Sequence, residues 1–65
     1  MIVMVNEQPV EVDEQTTVAA LLDSLGYPDR GVAVAIDLSV LPRSQWGTTL
    51  SDGARLEVVT AVQGG

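Results

Sequence analysis

The chain has 65 residues, 46% of them hydrophobic, and a formal net charge of −6, which is enough for one small domain. It contains no Cys and no His, so it lacks disulfides, thiolate and imidazole metal ligands, and the commonest general base, and conventional enzyme chemistry is disfavoured. Its three cationic side chains, Arg30, Arg43 and Arg55, stand against nine acidic ones. We therefore expect no binding to nucleic acid or to an anionic membrane, and we expect an electropositive protein partner instead.

Apolar stretches in this chain are short. The run Val32 to Ile36, for example, is far below the roughly 20 residues that a membrane-spanning helix needs. No basic segment precedes the apolar residues at the start of the sequence, as a secretion signal would require. We therefore expect a cytoplasmic protein.

The first thirteen residues have the pattern of a β-hairpin. Residues 1–5 are all apolar and rich in Val and Ile, which favours a strand, and residues 6–9 have turn character. Val10 and Val12 then alternate with Glu11 and Asp13. Such alternation is typical of a half-buried antiparallel strand, so the pattern predicts two paired strands.

A short amphipathic helix is predicted next. Val18, Leu21, Leu22 and Leu25 have the i, i+3, i+4, i+7 spacing of one helical face. Thr16-Thr17 supplies hydroxyls that can accept the free amide hydrogens of the first turn, and Gly26, with Pro28 beyond it, marks the end.

The second half of the chain alternates strands and turns. Residues 32–36 alternate Val or Ile with Ala, which predicts a strand whose larger face meets the helix, and Leu38, Val40 and Leu41 indicate a further brief strand. Residues 42–47 have the pattern of one helical turn that begins at Pro42, and residues 51–53 that of a turn. A last strand is predicted over residues 55–61. The elements therefore have the order ββαβ(β)β.

One helix covers one face of a small sheet, so half of the strand residues must face away from it. If Val3, Val5, Leu56 and Val58 face the helix, an apolar patch lies on the opposite face, rimmed by Arg55 and Glu57. We expect this patch to bind a partner, since neighbouring exposed aliphatic residues often mark an interface. Its expected members are Ile2, Met4, Val59 and Ala61, with Ala33 and Ala35 beside them.

The sequence ends with Val62, Gln63, Gly64 and Gly65. Two terminal glycines are compatible with a frayed end. They are also compatible with a tail that threads the narrow active-site channel of a partner enzyme, because glycine lets a second backbone approach closely.

Several short motifs along the chain form a recognisable set. They are Thr17-Val18 and Leu21-Leu22, Val34-Ala35-Ile36, Leu41-Pro42-Arg43 followed by Trp46, Asp52-Gly53 before Leu56-Glu57-Val58-Val59, and Gly64-Gly65. Together they make the chain similar to the ThiS family, the sulfur carriers of the thiamine pathway. The resemblance covers essentially the whole chain and departs from the family at Ala54 and in the connection of residues 37–39.

The resemblance implies an α+β chain with a β-grasp, ubiquitin-like fold: one domain over residues 1–65, a mixed four- to five-stranded sheet on one helix, and a flexible tail over 62–65. It implies that the carboxylate of Gly65 is adenylated by a ThiF-like adenylyltransferase with ATP. The product would be a thiocarboxylate, formed with a sulfur donor protein or sulfide, that donates sulfur to thiazole synthase. Val62, Gln63 and Gly64 would thread the partner's active site, and the carrier itself would need no bound cofactor or metal and would not be an enzyme.

Three alternatives remain open from the sequence. They are a carrier that resembles the small subunit of molybdopterin synthase, a ubiquitin-like protein modifier, and a β-grasp interaction module without tail chemistry. No serine has a His or Lys to activate it, and the acidic residues are too dispersed for a metal site. We expect Trp46 to pack at the edge of the core, and Arg43 to be solvated or bound within the chain.

Overall fold

The computed structural model describes residues 1–28 and 30–60. Within them the predicted order of elements is confirmed, with a 3-10 turn at Arg43–Gln45. The helix and strands are β1 (Ile2–Val5), β2 (Gln8–Glu11), α1 (Val18–Ser24), β3 (Val32–Ile36), β4 (Ser39–Leu41) and β5 (Arg55–Thr60).

The strands form one mixed sheet in the order β2-β1-β5-β3-β4. β1 and β5 are parallel, and the other neighbouring pairs are antiparallel. The last strand in the sequence is therefore the middle strand of the sheet, with a hairpin on either side. One helix and a mixed sheet of five strands match the predicted fold class.

Both hairpins have turns of two residues with positive φ. Asn6 and Glu7 connect β1 to β2, with φ of 49° and 68°. The turn predicted over residues 6–9 is therefore too long, because Gln8 and Pro9 already belong to β2. Pro9 is tolerated there because β2 is an edge strand, where a missing N–H breaks no ladder.

The β3–β4 turn consists of Asp37 and Leu38, with φ of 48° and 72°. The prediction that Leu38 begins a strand is therefore wrong, since β4 begins at Ser39. Leu38 is 90% exposed. A leucine at the tip of a hairpin has no neighbouring surface to pack against, and its backbone lies in a region that favours glycine.

The core lies between the helix and one face of the sheet. Val18, Leu21 and Leu22 are the buried residues of α1, and the central strands bury the residues predicted to face the helix, Val3, Val5, Leu56 and Val58. Leu25 is an exception: its exposed fraction is 42%. The helix ends at Ser24, so Leu25 is its C-cap and lies beyond the buried stripe.

The helix begins and ends as its sequence predicts. The Thr17 hydroxyl accepts a hydrogen bond of 3.1 Å from the Ala20 amide. At the other end, the amides of Gly26 and Tyr27 donate to the carbonyls of Asp23 and Leu22, both at 3.0 Å, which is a Schellman motif. Gly26 has the positive φ (86°) that this motif requires. Within the described residues, no helix is long and apolar enough to cross a membrane.

Trp46 closes one side of the core. It is 8% exposed, and its indole N–H donates to the carbonyl of Leu41 at 3.3 Å. The guanidinium carbon of Arg43 lies 5.3 Å from the centre of the Trp46 ring, which is a cation–π distance. These contacts confirm the predicted packing role of Trp46 and show that Arg43 interacts within the chain.

Candidate functional site

Strand β5 leads directly into the C-terminal residues, and its two faces differ. Leu56 and Val58 point into the core and are 1% and 7% exposed. Arg55, Glu57 and Val59 point away from the helix, and Val59 is 64% exposed. The predicted assignment of the β5 faces is therefore confirmed over residues 55–60.

The residues predicted to form a partner surface lie on this outer face wherever the structure describes them. Ile2 and Met4 are on the face of β1 opposite the buried Val3 and Val5, so the predicted parity of β1 is confirmed. Val59 is on the same side of the sheet, because Met4 pairs with Arg55. The fourth expected member, Ala61, lies outside the described residues.

Ile2, Met4 and Val59 do not form one continuous apolar patch. Because Met4 is level with Arg55, Val59 lies four residues farther along, about 13 Å away, and Ile2 is about 20 Å from the level of Val59. Arg55 and Glu57 lie between the two ends instead of at the rim. These side chains lie on the predicted face, but the prediction that Arg55 and Glu57 form a rim around one patch is wrong, because the register places Ile2 and Val59 at different levels along the strands.

Val59 lies on the outer face near the C-terminal end of β5, one residue before Thr60. Ala33 of β3 pairs with Val59, and Ala35 pairs with Glu57, so both alanines lie beside β5 as expected. Their small side chains leave Val59 exposed. We call Val59 and Ala33 the tail-side patch. The predicted tail residues Val62, Gln63, Gly64 and Gly65 lie outside the described residues.

Asn6 binds the C-terminal half of β5 on the side of the strand that faces β1. Its side-chain amide donates to the Val58 carbonyl at 3.1 Å and accepts from the Val58 amide at 2.8 Å. Its backbone amide donates to the Leu56 carbonyl at 2.9 Å. The paired strand β1 ends at Val5, so the side chain of Asn6 extends the ladder by one further residue pair.

Asp37 makes a similar contact from the other side and at the other end of the strand. Its carboxylate accepts from the Arg55 amide at 3.2 Å, and its backbone amide donates to the Arg55 carbonyl at 2.9 Å. The first residue of each hairpin turn therefore holds β5: Asp37 where the strand begins, and Asn6 near its end.

These two roles were not predicted from the sequence. Asn and Asp tolerate positive φ better than most residues, so each indicates a two-residue turn when it stands between two strand patterns. Nothing in the local pattern indicates that the turn side chain reaches a third strand, because that contact depends on the order of strands in the sheet.

The described residues offer little other chemistry. Among residues 1–28 and 30–60, no group of three or more acidic side chains is placed to hold a metal ion. The first amides of α1 are also occupied: Val18 donates to the Thr48 carbonyl at 3.1 Å, and Ala19 donates to the Trp46 carbonyl at 3.0 Å. An anion therefore finds no free amides of these two residues at the start of the helix.

Comparison with known proteins identifies the family. The family model described as ThiS family matches residues 3–65. The sulfur carrier protein ThiS of Escherichia coli is 30% identical over 66 residues, and the alignment covers 100% of both chains. A thiazole synthase of Paramagnetospirillum magneticum is 35% identical over 66 residues. The alignment covers the whole of this chain, which spans about 20% of the length of that protein.

Solved structures agree with this result. A crystal structure of a thiamine biosynthesis protein (ThiS) from Geobacter metallireducens has a TM-score of 0.78 and 33% identity, with 100% of both chains covered. An NMR structure of a thiamine biosynthesis protein from the same organism gives the same TM-score and identity and covers 88% of that chain. The expected β-grasp fold, and the expected function as a sulfur carrier in thiamine biosynthesis, are confirmed by these likenesses. The chain belongs to the ThiS family.

Proposed function

We propose that this sulfur carrier bears its sulfur on the C-terminal carboxylate of Gly65 and acts as a co-substrate of partner enzymes, not as an enzyme itself. The observation that carries the proposal is the family match over residues 3–65, which includes Gly64-Gly65. The composition supports it, because the chain has no Cys or His with which to perform sulfur or acid–base chemistry.

The reaction has two steps at one carbon atom. A carboxylate oxygen of Gly65 first attacks the α-phosphorus of ATP, and pyrophosphate leaves. A sulfur nucleophile, either sulfide or the persulfide of a donor protein, then attacks the carbonyl carbon and displaces AMP. With sulfide the product is the thiocarboxylate directly; with a persulfide, reduction of the acyl disulfide by a thiol is needed to release it. The adenylating enzyme binds the ATP, and the carrier binds no cofactor. A supply of ATP is available in the cytoplasm, where we place the protein.

Two partners follow from this chemistry. One is a ThiF-like adenylyltransferase, which activates the carboxylate, and the other is a thiazole synthase, which accepts the sulfur. The thiazole synthase of P. magneticum supports the second partner, because about 20% of its length aligns with this whole chain. Sequences joined in one polypeptide have a high effective concentration for each other, which suits a carrier and its acceptor.

The partner that holds the tail covers part of the outer sheet face. Residues 61–65 span at most about 18 Å when fully extended, so the active site that reaches Gly65 must lie close to Thr60. The tail-side patch is then covered first. We place Val59 and Ala61 at the centre of the interface, and Ile2 and Met4 at its far end with smaller contributions. Val62, Gln63 and Gly64 occupy the channel, where glycine leaves the most room.

The proposal is tested by the intact mass of the chain after incubation with ATP, Mg²⁺, a ThiF-like enzyme and sulfide. Exchange of one oxygen for sulfur at Gly65 is the expected result. An unchanged mass, with an enzyme that modifies another carrier in parallel, contradicts it. A product joined to a lysine of a second protein would instead identify a protein modifier.

A further inference from the structure

We propose that Asn6 is a positioning residue for the C-terminal residues: its side-chain amide fixes the end of β5, and with it the position from which the chain continues toward Gly65. This proposal rests on the proposed function of Gly65. Asn6 is far in sequence from the C-terminal residues, and it acts on them through Val58.

The two sides of β5 are held differently. Pairing with β3 continues along the strand as far as Val32 and Thr60. The parallel pairing with β1 ends at Val5 and Leu56. Amide and carbonyl groups of successive strand residues point to alternate sides, so those of Val58 point toward the β1 side of the sheet. At the level of Val58, β1 has already ended, and its chain has turned toward β2. Asn6 supplies the missing donor and acceptor there.

The geometry of this contact requires an amide. Val58 presents one N–H and one C=O, and the Asn6 side chain meets them with its Oδ1 at 2.8 Å and its Nδ2 at 3.1 Å. A carboxylate would accept the first hydrogen bond but would place a second oxygen against the Val58 carbonyl. The backbone of Asn6 has φ of 49°, a conformation that asparagine adopts more readily than most residues.

The position of this contact links it to the tail. Three residues separate Val58 from Val62, where the predicted tail begins. Fixing the backbone of one residue costs an amount of free energy that corresponds to about a tenfold change in an equilibrium constant or somewhat more. Without the Asn6 side chain, β5 beyond Leu56 is held by β3 alone, and ordering this end of the strand becomes part of the cost of binding the partner.

Asn6→Gly is the test, and Asp37→Gly is its control. Both positions are the first residue of a two-residue turn with positive φ, and glycine suits that conformation in each case. Each substitution removes one side chain that bonds to β5. Asp37 holds Arg55, at the beginning of the strand and away from the tail. A general loss of stability would therefore appear in both variants, whereas a loss of tail positioning appears only at residue 6.

Steady-state adenylation by a ThiF-like enzyme, followed as pyrophosphate release with the carrier as varied substrate, gives the readout. For Asn6→Gly we expect KM for the carrier to rise about tenfold, while kcat stays within about twofold, because the bound tail is held by the enzyme. Asp37→Gly should keep the wild-type KM. Amide hydrogen exchange should quicken at Val58 in the first variant and at Arg55 in the second.

A folded Asn6→Gly chain with the wild-type KM would overturn the proposal, and so would equal increases of KM in both variants. If Asn6→Gly does not fold, Asn6→Asp replaces it as the test variant, because it keeps the size of the side chain and one hydrogen bond. We expect Asn6→Asp to raise KM as well, and an unchanged KM would overturn the proposal. Failure of the wild-type chain to be adenylated would contradict the proposed function instead.

Discussion

Val58 and Val59 are neighbours in sequence and identical in chemistry, but they lie on opposite faces of β5. Val58 is 7% exposed and Val59 is 64% exposed. Substituting each with Asp therefore separates the contribution of β5 to folding from its contribution to partner binding.

The cost to folding differs greatly between the two. A 65-residue domain has a free energy of unfolding of roughly 3–10 kcal/mol. Val58→Asp loses roughly 2 kcal/mol of apolar burial and adds several kcal/mol for an unpaired buried carboxylate, so we expect an unfolded chain. Val59→Asp changes a mostly exposed strand position, where the whole range of strand preferences spans about 1 kcal/mol. We expect it to remain folded.

For partner binding, the exposed residue Val59 is the important one. If the partner covers the tail-side patch, Val59→Asp places an unpaired carboxylate in a desolvated contact. A loss of at least about 2 kcal/mol, which corresponds to about thirtyfold in Kd, is the expected magnitude. Circular dichroism reports the fold, and calorimetric titration with the adenylating partner reports Kd.

Ile2→Asp is the matched control for charge. Ile2 is 49% exposed on the same outer face, but its level on the sheet is about 20 Å from that of Val59. Both variants make the chain more negative by one charge. We expect less than a tenfold change in Kd for Ile2→Asp. Equal weakening by both variants would attribute the effect to net charge, and a folded Val59→Asp chain that binds normally would refute the placement of the patch.

Four further substitutions have expected outcomes. Leu38→Gly should raise the free energy of unfolding by about 1 kcal/mol, because glycine adopts the left-handed conformation of this exposed turn position without the strain that leucine has there. Gly26→Ala introduces a Cβ that meets no atom within 4 Å but requires φ of 86°, so it should lower the free energy of unfolding by a similar amount. Thermal melts report both. Thr17→Ala should lower it by about 1 kcal/mol in urea titrations, because the hydroxyl bond to Ala20 is lost. Gly64→Leu should leave the melting temperature unchanged and abolish adenylation, and normal adenylation would contradict the threading of the tail.

The sequence predicted those features that depend on local pattern. The helix was predictable from the spacing of Leu21 and Leu22, the hydroxyl of Thr17 and the glycine at residue 26, because these residues act within two turns. The faces of β5 were predictable because side chains alternate along a strand. Each of these rules needs a short window of sequence and no knowledge of the neighbouring elements.

Features that depend on register were not predictable in the same way. Alternation places Met4 and Val59 on one face, but only the pairing of Met4 with Arg55 shows that they are about 13 Å apart along the sheet. The length of the first turn has a similar origin. Asn6 and Glu7 form it without a glycine, and the hydrogen bonds from Asn6 to β5 favour that conformation over a longer turn.

The position of β5 bears on the chemistry proposed for Gly65. β5 pairs with β3 from Leu56 to Thr60, with β1 at Arg55 and Leu56, and with the Asn6 side chain at Val58. It also supplies Leu56 and Val58 to the core, so it is held by more of the structure than an edge strand would be. A tail that leaves an edge strand would start from a part of the sheet that opens easily. A segment that follows the central strand starts from a held position, and this lowers the part of the binding cost that comes from ordering β5.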